Sequence, residues 1–525
     1  MASIPGPADL SSGMSHDHRR LYNALTARDS RFDGIFFVGV TSTRIYCRPI
    51  CRVKAPKAAN CRFFDTAQEA EQAGFRPCLR CRPELAPGNA PVDDAGRIAQ
   101  LIVQRLWEGH FDGEAGLEAI ADEFALSSRQ IRRIVRTQLR VSPIQLLLTR
   151  RLLLAKQLLT ETRWPVAEVA FASGFGSLRR FNDAFIRRYG MPPTRLRRNA
   201  DGEVPPAAGG DTAALLLAYR PPYDWEGILD FLAARALAGV EQVTDRAYAR
   251  TVRLGQAEGW IRVTRAPKRD ALILEFTHSL TPALPALLGR VRALFDLDAR
   301  PDLIRRRLVT DPVLAAAVRA RPGTRVPGAF HGFELGLRAI LGQQVTVAAA
   351  TTLAARVVEA IGEPIATPIP ELNRLSPSPE RVVRAGADAI ARLGILTSRA
   401  RTLVALAEAE RSGRLRLDAG AGHDPEEAIR RLAELPGVGP WTAHYIAMRA
   451  FRWPDAFPKE DIAVRRALGG VTADQAEARS EAWRPWRSYA VLHLWSLSRP
   501  TTGARPAAGP RIRTRRRASA LGAAP

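Results

Sequence analysis

Apolar residues recur at helical spacing along two separate stretches of the chain. From Gly116 to Leu139, Leu117, Ile120, Ala121 and Phe124 share one helical face. Ser127 or Ser128 can cap a second helix, on which Ile131, Ile134 and Val135 face inward and Arg129, Arg132, Arg133 and Arg136 lie mostly on other faces. A long apolar helix, IQLLLTRRLLLAKQLL, follows. A second unit then repeats the pattern: Val166, Val169 and Ala170 on one helix, a turn at Gly174, and a helix starting near Ser177 with Phe181, Phe185 and Ile186 inside. Residues 212–295 mix short strand-like runs with one apolar helix, GILDFLAARAL, and from Phe330 the pattern is helical again.

Polar, Pro- and Gly-rich breaks at Pro83–Asp94 and Asn199–Asp211 interrupt these stretches, as does the segment from Thr501 onward. They leave blocks of 15–85, 95–198 and 212–500, and a length of 525 residues suits three or four domains. The last 25 residues hold six Arg and no acid, so 501–525 reads as a basic disordered tail adding phosphate affinity. The net charge of +24 points to a polyanionic partner. No apolar run is long enough to span a membrane and the N-terminus has no signal-type apolar segment, so the expected location is cytoplasmic, at the nucleoid. All five cysteines lie between positions 47 and 81, which in a reducing compartment reads as metal or redox chemistry.

Cys47 and Cys51 form a CxxxC pair, and Cys78 and Cys81 a CxxC pair. Two close thiolate pairs on a small domain suit tetrahedral zinc. Cys61 lies between them without a partner and reads as a packing residue. TSTRIYCRPIC followed by GFRPCLRC resembles the N-terminal domain of the Ada family of methylphosphotriester-repair regulators. The resemblance implies that Cys47 accepts the methyl group, that Cys51, Cys78 and Cys81 complete a Zn(2+) site with it, and that Thr43, Lys54 and Arg76 face the DNA backbone. Lys54 stands where the family pattern has Arg.

The two helical units joined by the apolar helix, with the run AFASGFGSLRRFNDAFIRRYGMPP, resemble the AraC family DNA-binding domain. Such a domain lays a recognition helix in the major groove. That makes Arg129, Arg132, Arg133, Arg179, Arg180 and Asn182 candidates for DNA contact. An activator of this kind also meets RNA polymerase.

LAYRPPYDWEGILDFLAARALAGVE resembles the N-terminal domain of AlkA-type 3-methyladenine glycosylases, a small α+β domain to which no chemistry is assigned. LPGVGPWTA is a helix-hairpin-helix signature in which Gly437 and Gly439 allow a tight turn, with backbone N–H groups facing a DNA phosphate. A monovalent cation can dock there. Asp461 lies about twenty residues beyond, at the offset where helix-hairpin-helix base-excision glycosylases place the catalytic Asp. A carboxylate there stabilises the oxocarbenium-like sugar of N-glycosidic cleavage. Asp461 can equally be the N-cap of IAVRRAL, and the two roles are compatible. Trp441 occupies the position of the lyase Lys, so the resemblance implies a monofunctional hydrolase. No Cys follows position 81, which rules out the Fe–S cluster that some helix-hairpin-helix relatives carry, so no Fe–S cluster is expected. Trp441, Tyr445 and Trp495 match aromatic pocket positions of the family, suited to cationic methylated purines. RAILGQQVTVAAA, with Gln343 and Gln344, matches the loop that enters the DNA where the base leaves, and Gln344 is polar where an apolar wedge is the pattern.

The expected architecture is multidomain and mainly α. It comprises a small zinc-bound α/β Ada-type domain (15–85), an all-α AraC-type double helix-turn-helix (95–198), a linker (199–211), an α+β AlkA N-terminal domain (212–297) and an all-α helix-hairpin-helix glycosylase domain (298–500). The expected function is an alkylation-damage response protein acting on double-stranded DNA: a methyl acceptor and methylation-activated regulator that also excises alkylated purines. Two rivals are a transcription regulator whose glycosylase fold only binds DNA, and a glycosylase whose front half merely localises it. Loss of Asp461 or the aromatics would favour the first, and a broken cysteine set the second. Neither is lost.

Overall fold

The computed structural model describes residues 16–28, 36–51, 53–64, 67–81, 83, seven positions between 99 and 121, and 126–198, 211–418 and 425–498. Phe124, the tail 501–525 and nearly all of the two breaks lie outside the described residues.

The front domain begins with helix α1 (His16–Ala27). Its sheet has the order β3-β1-β2-β4, formed by β1 (Phe37–Val40), β2 (Ile45–Cys47), β3 (Cys61–Phe64) and β4 (Arg76–Pro77), with helix α2 (Ala67–Gln72) alongside. Its core is small: Leu25, Val38 and the five cysteines form one cluster, and Phe37, Tyr46, Ala70 and Phe75 another.

Helix α3 (Ser128–Leu139) starts at a capping box made by Ser127 and Gln130, which satisfies two backbone donors reciprocally. It buries Ile131 and Val135, four residues apart on one face. Helix α4 (Pro143–Glu161) opens with a second capping box, Ser142 and Gln145, and Pro at its first position. Helix α5 (Val166–Ala172) follows, Gly174 turns at φ +88°, and Ser177 caps helix α6 (Leu178–Tyr189), which ends at Gly190 in the left-handed conformation. Ile186, expected inside, is 46% exposed. Phe181 and Phe185, with half-buried Tyr189, already fill the inner stripe, and Ile186 lies about 100° around the helix from Phe185.

Next comes an antiparallel sheet of order β5-β9-β8-β7-β6: β5 (Thr212–Ala218), β6 (Glu241–Val243), β7 (Ala247–Leu254), β8 (Ala257–Arg265) and β9 (Ala271–Thr277). Helix α7 (Trp225–Ala233) lies between β5 and β6, and α8 (Leu284–Leu294) follows β9. β7 and β9 are buried almost continuously rather than alternately, the mark of a sheet covered on both faces.

The helical half places α9 (Gly332–Leu341), α10 (Val347–Ile361), α11 (Thr397–Arg411), α12 (Pro440–Arg449), α13 (Ile462–Ala467) and α14 (Arg487–Leu497) around one large core. A buried ionic network ties this half to the sheet. Arg250 on β7, 1% exposed, donates to Glu334 on α9 at 2.7 Å and lies over the Phe330 ring at 4.5 Å. Arg338 on α9 reaches back to Glu241 on β6 at 2.9 Å. Removing one partner of such a pair leaves a buried charge uncompensated. Arg250→Met is therefore expected to destabilise this half by about 3–5 kcal/mol, read as a lower denaturant midpoint. An unchanged midpoint would show the network to be energetically neutral.

Candidate nucleic-acid repair sites

Two groups of side chains carry chemistry. In the front domain, β2 ends at Cys47 and the following turn carries Cys51. β4 leads into Cys78, and Cys81 follows within one turn. The parallel pairing of β2 with β4, extended by the Cys78 N–H donating to the Tyr46 carbonyl at 3.0 Å, brings the two pairs together. The sulfurs of Cys47, Cys51, Cys78 and Cys81 all lie within 4.8 Å of one another, and all four residues are buried. Tetrahedral zinc with Zn–S bonds of about 2.3 Å needs sulfurs roughly 3.8 Å apart, so the set fits the ion. Four buried thiolates without a cation would repel one another strongly. Cys61 stands outside this group. Its Sγ donates to the Lys57 carbonyl at 3.4 Å, and burial pushes its thiol up to about 11. Thr43, Lys54 and Arg76 are all exposed on this domain.

On the helix-turn-helix units, Arg129 and Arg133 on α3 and Arg179 and Arg180 on α6 are exposed, while Arg132 and Asn182 are half-buried.

The second group lines a cleft of about 1730 Å³. Drug-sized pockets run to roughly 300–1,000 Å³, so this cleft is larger than a single small molecule needs. Asp461 caps α13, its Oδ1 accepting the Val464 N–H at 2.9 Å. The same carboxylate accepts the indole N–H of Trp441 on α12 at 2.9 Å and that of Trp495 on α14 at 3.2 Å. Three donors on three helices thus fix a carboxylate that is 8% exposed. A carboxylate has about four acceptor positions, so one remains for a water or a sugar. Trp441 stacks on Tyr445 with centroids 5.2 Å apart and planes 10° from parallel, and Trp495 stacks on Phe231 of α7 at 6.3 Å.

α7 belongs to the strand-rich domain, to which the sequence assigned no chemistry. Gly227, Ile228, Phe231 and Arg235 of this domain nevertheless line the cleft. Sequence reasoning also missed the guanidinium cluster behind Tyr445. Arg449 donates to the Tyr445 hydroxyl at 2.8 Å, and Arg235 and Arg338 lie close by. Burial pushes the phenol up, but the three arginines outweigh it and bring it down to about 8. The DFLAARAL run held the signal for Arg235, though no periodicity aims it at Tyr445. One tyrosine is accordingly expected to titrate near pH 8 in the near-ultraviolet phenolate band, with Tyr445→Phe abolishing that step. An acid whose folded pKa is depressed stabilises the fold above it, so this group's contribution grows as pH rises from 8 towards the ordinary 10 and is lost as pH falls through 8. If the lowest tyrosine step stays near 10, the cluster does not act on Tyr445.

At the cleft's rim, Gly437 sits at φ +83°, and an added Cβ would meet Thr402 Oγ1 at 2.2 Å. Gly439 has an ordinary φ of −87° and open space around it, so within the protein itself only Gly437 is strained by an added side chain. Gln343 Nε2 donates to the Gly437 carbonyl at 2.8 Å and to Thr442 Oγ1 at 3.0 Å, bracing its loop against the hairpin. Gln344, beside it, is exposed and held at φ +54°, a conformation uncommon for residues other than glycine.

Family comparisons match the chain in four consecutive segments: the metal binding domain of Ada over residues 20–84, a helix-turn-helix domain over 120–199, the AlkA N-terminal domain over 214–331, and the HhH-GPD superfamily of base excision DNA repair proteins over 337–488. The chain is 38% identical over 490 residues, 92% of its length and 97% of the other's, to the probable bifunctional transcriptional activator/DNA repair enzyme AlkA of Mycobacterium tuberculosis. It is 38% identical over 279 residues to DNA-3-methyladenine glycosylase 2 of Escherichia coli, covering 53% of this chain and 95% of that one. Among solved structures, the 3-methyladenine DNA-glycosylase from Archaeoglobus fulgidus aligns over 54% of this chain and 98% of its own, with 21% identity and a TM-score of 0.47. Among the described residues no helix is long and apolar enough to cross a membrane. With all four segments in this order and a relative matched end to end, the chain belongs to the family of bifunctional transcriptional activator/DNA repair enzymes that join an Ada-type metal-binding domain and a helix-turn-helix to an AlkA-type glycosylase.

Proposed function

We propose that this protein takes a methyl group from DNA methylphosphotriesters onto Cys47, and that the methylated form activates transcription through its helix-turn-helix units and RNA polymerase. In the same chain, the C-terminal half hydrolyses the N-glycosidic bond of alkylated purines such as 3-methyladenine. The observation that carries this reading is that one chain holds both four convergent buried sulfurs and a carboxylate fixed by three donors in an aromatic cleft.

In the transfer step the Cys47 sulfur attacks the methyl carbon. An S–C bond forms, the C–O bond breaks, and the phosphodiester leaves with its negative charge. Zn(2+) bound by Cys47, Cys51, Cys78 and Cys81 would keep these thiols deprotonated near neutral pH. Thr43, Lys54 and Arg76 hold the backbone, and turning one thiolate into a neutral thioether lowers the negative charge of the site by one. That favours further phosphate contact.

In the excision step Gln344 enters the stack and the damaged nucleotide turns out between Trp441, Tyr445 and Trp495. The methylated base carries positive charge and leaves neutral with the bonding electron pair, so no strong general acid is needed. The Asp461 carboxylate faces the charge that builds on the sugar. Water adds at the sugar carbon and gives up one proton, which the Asp461 carboxylate can accept. With Trp441 in place of a lysine, no amine competes with the water.

The test is to incubate the full chain with methylated duplex DNA and follow two products in one tube: free bases, and the mass of the peptide holding Cys47. Released 3-methyladenine together with a one-methyl mass gain supports both halves. A methylated Cys47 with no free base makes the C-terminal half a DNA-binding module, and free base with unmodified Cys47 removes the transfer half.

A further inference from the structure

The two helix-turn-helix units are not equivalent in how they join the rest of the molecule. The first has its own small core, in which Ile102, Leu117, Ile120 and Ala121 meet Ile131 and Val135 of α3. The second, among the described residues, has none of its own. The C-terminal half of α4, with α5 and α6, shares one continuous core with the five-stranded sheet: Leu158, Trp164, Phe175 and Phe181 are clustered with Leu215 of β5 and Phe276 of β9. Trp164 meets the Phe276 ring edge-on at 6.2 Å.

The polar contacts are as specific as the apolar ones. β5 is an edge strand, so among the described residues one side of it has no strand partner. Unpaired edge groups invite pairing with other chains or must be covered. Here α4 covers them. The Leu216 N–H donates to Glu161 at 2.8 Å, and the Leu216 carbonyl accepts from Gln157 at 2.7 Å, so two side chains one helical turn apart imitate a neighbouring strand. The amide of Gln157 also donates to Glu161 at 3.0 Å. Arg150, further up α4, donates to the Pro285 carbonyl at the start of α8 at 3.2 Å. The elements on either side of the break at 199–211 are therefore packed on one another. Meanwhile α6 presents Arg179, Arg180, Arg187 and Arg188 to solvent.

We infer that the second helix-turn-helix unit is a built-in DNA-contact arm of the glycosylase half, held at fixed geometry to the cleft so that one molecule grips one duplex at both places. This rests on the excision reading above. An arm of this kind adds phosphate contacts to a cleft whose own target is a single nucleotide, and each added contact raises affinity and its salt dependence.

The test uses the full chain and duplexes carrying one tetrahydrofuran abasic analogue, read by hydroxyl-radical footprinting. The expected result is a protected patch at the analogue and a second patch at a constant offset. Moving the analogue by half a helical turn moves both together, and Arg179→Ala with Arg180→Ala erases the second. A second patch that stays in place while the analogue moves, or an analogue-centred patch with no companion, overturns the fixed arm and leaves the excision reading standing. Protection that ignores the analogue altogether removes both. In the free protein the Leu216 amide should exchange slowly with solvent and lose that protection in Glu161→Ala. Fast exchange in the wild type would show the dock to be open.

Discussion

Asp461→Asn is expected to lower the release of alkylated purines by about 10²–10³-fold, the scale on which removing one preorganised electrostatic partner acts. The substitution is close to isosteric. Its remaining oxygen can still accept the Val464 N–H at the start of α13. What it removes is the negative charge facing the sugar, together with one of two acceptors now shared by the indole N–H groups of Trp441 and Trp495. One indole must then face an amide NH2, at a cost of about 1–3 kcal/mol for an unmet buried donor. The loss of rate and the loss of stability are separable. Single-turnover base release reports the first and thermal unfolding the second. Binding to a duplex with an abasic analogue should survive, because the hairpin at Gly437 and the loop at Gln344 are untouched. If the Asp461→Asn protein excised within about tenfold of wild type, against the loss expected for a missing electrostatic partner, the carboxylate would be a helix cap and nothing more.

Some of this site can be read directly from the residue order. The four sulfurs are close pairs in sequence, so spacing alone brings each pair together, and only the β2–β4 pairing that joins the pairs needed the fold. Asp461 is legible twice over, as a cap before IAVRRAL and as an acid following a hairpin motif. The aromatic positions come from resemblance. The convergence of both indoles on Asp461 does not, because positions 441, 461 and 495 meet only when α12, α13 and α14 pack. The same limit hid Arg235, Arg338 and Arg449, which approach Tyr445 from the turn after α7, from α9 and from α12. Helical periodicity placed Phe181 and Phe185 inside correctly and overreached at Ile186, where an apolar residue lies beyond the edge of a stripe already filled. The break at Asn199–Asp211 reads as a linker between blocks. Nothing in its composition could reveal that Glu161 and Gln157 reach across to the edge of β5.

Cys81→Ala is expected to unfold the front domain while the C-terminal half stays folded. Cys81 is the most buried of the four ligand candidates, at 1% exposure, and it sits in a core whose other fully buried members, among the described residues, are Leu25, Val38 and the remaining cysteines. A domain of this size buries little apolar surface, so a staple contributes a large share of its stability. Structural zinc supplies about 10–16 kcal/mol of apparent binding energy at pH 7, which such a fold spends on its own ordering. Removing one of four ligands should therefore lower the zinc stoichiometry from one to well below one, and protease should then cut between residues 36 and 81. Base release should be unaffected, since the helical half has its own core and its own contacts to the sheet. Cys47→Ala separates two roles that Cys81→Ala confounds. Three ligands and the interior packing remain, so the domain should retain zinc weakly and resist protease better than Cys81→Ala, yet gain no methyl group from methylated DNA. Were Cys47→Ala still methylated on this domain, another of the four sulfurs would be the acceptor, and Cys78, as exposed as Cys47 at 9%, would be the first to replace.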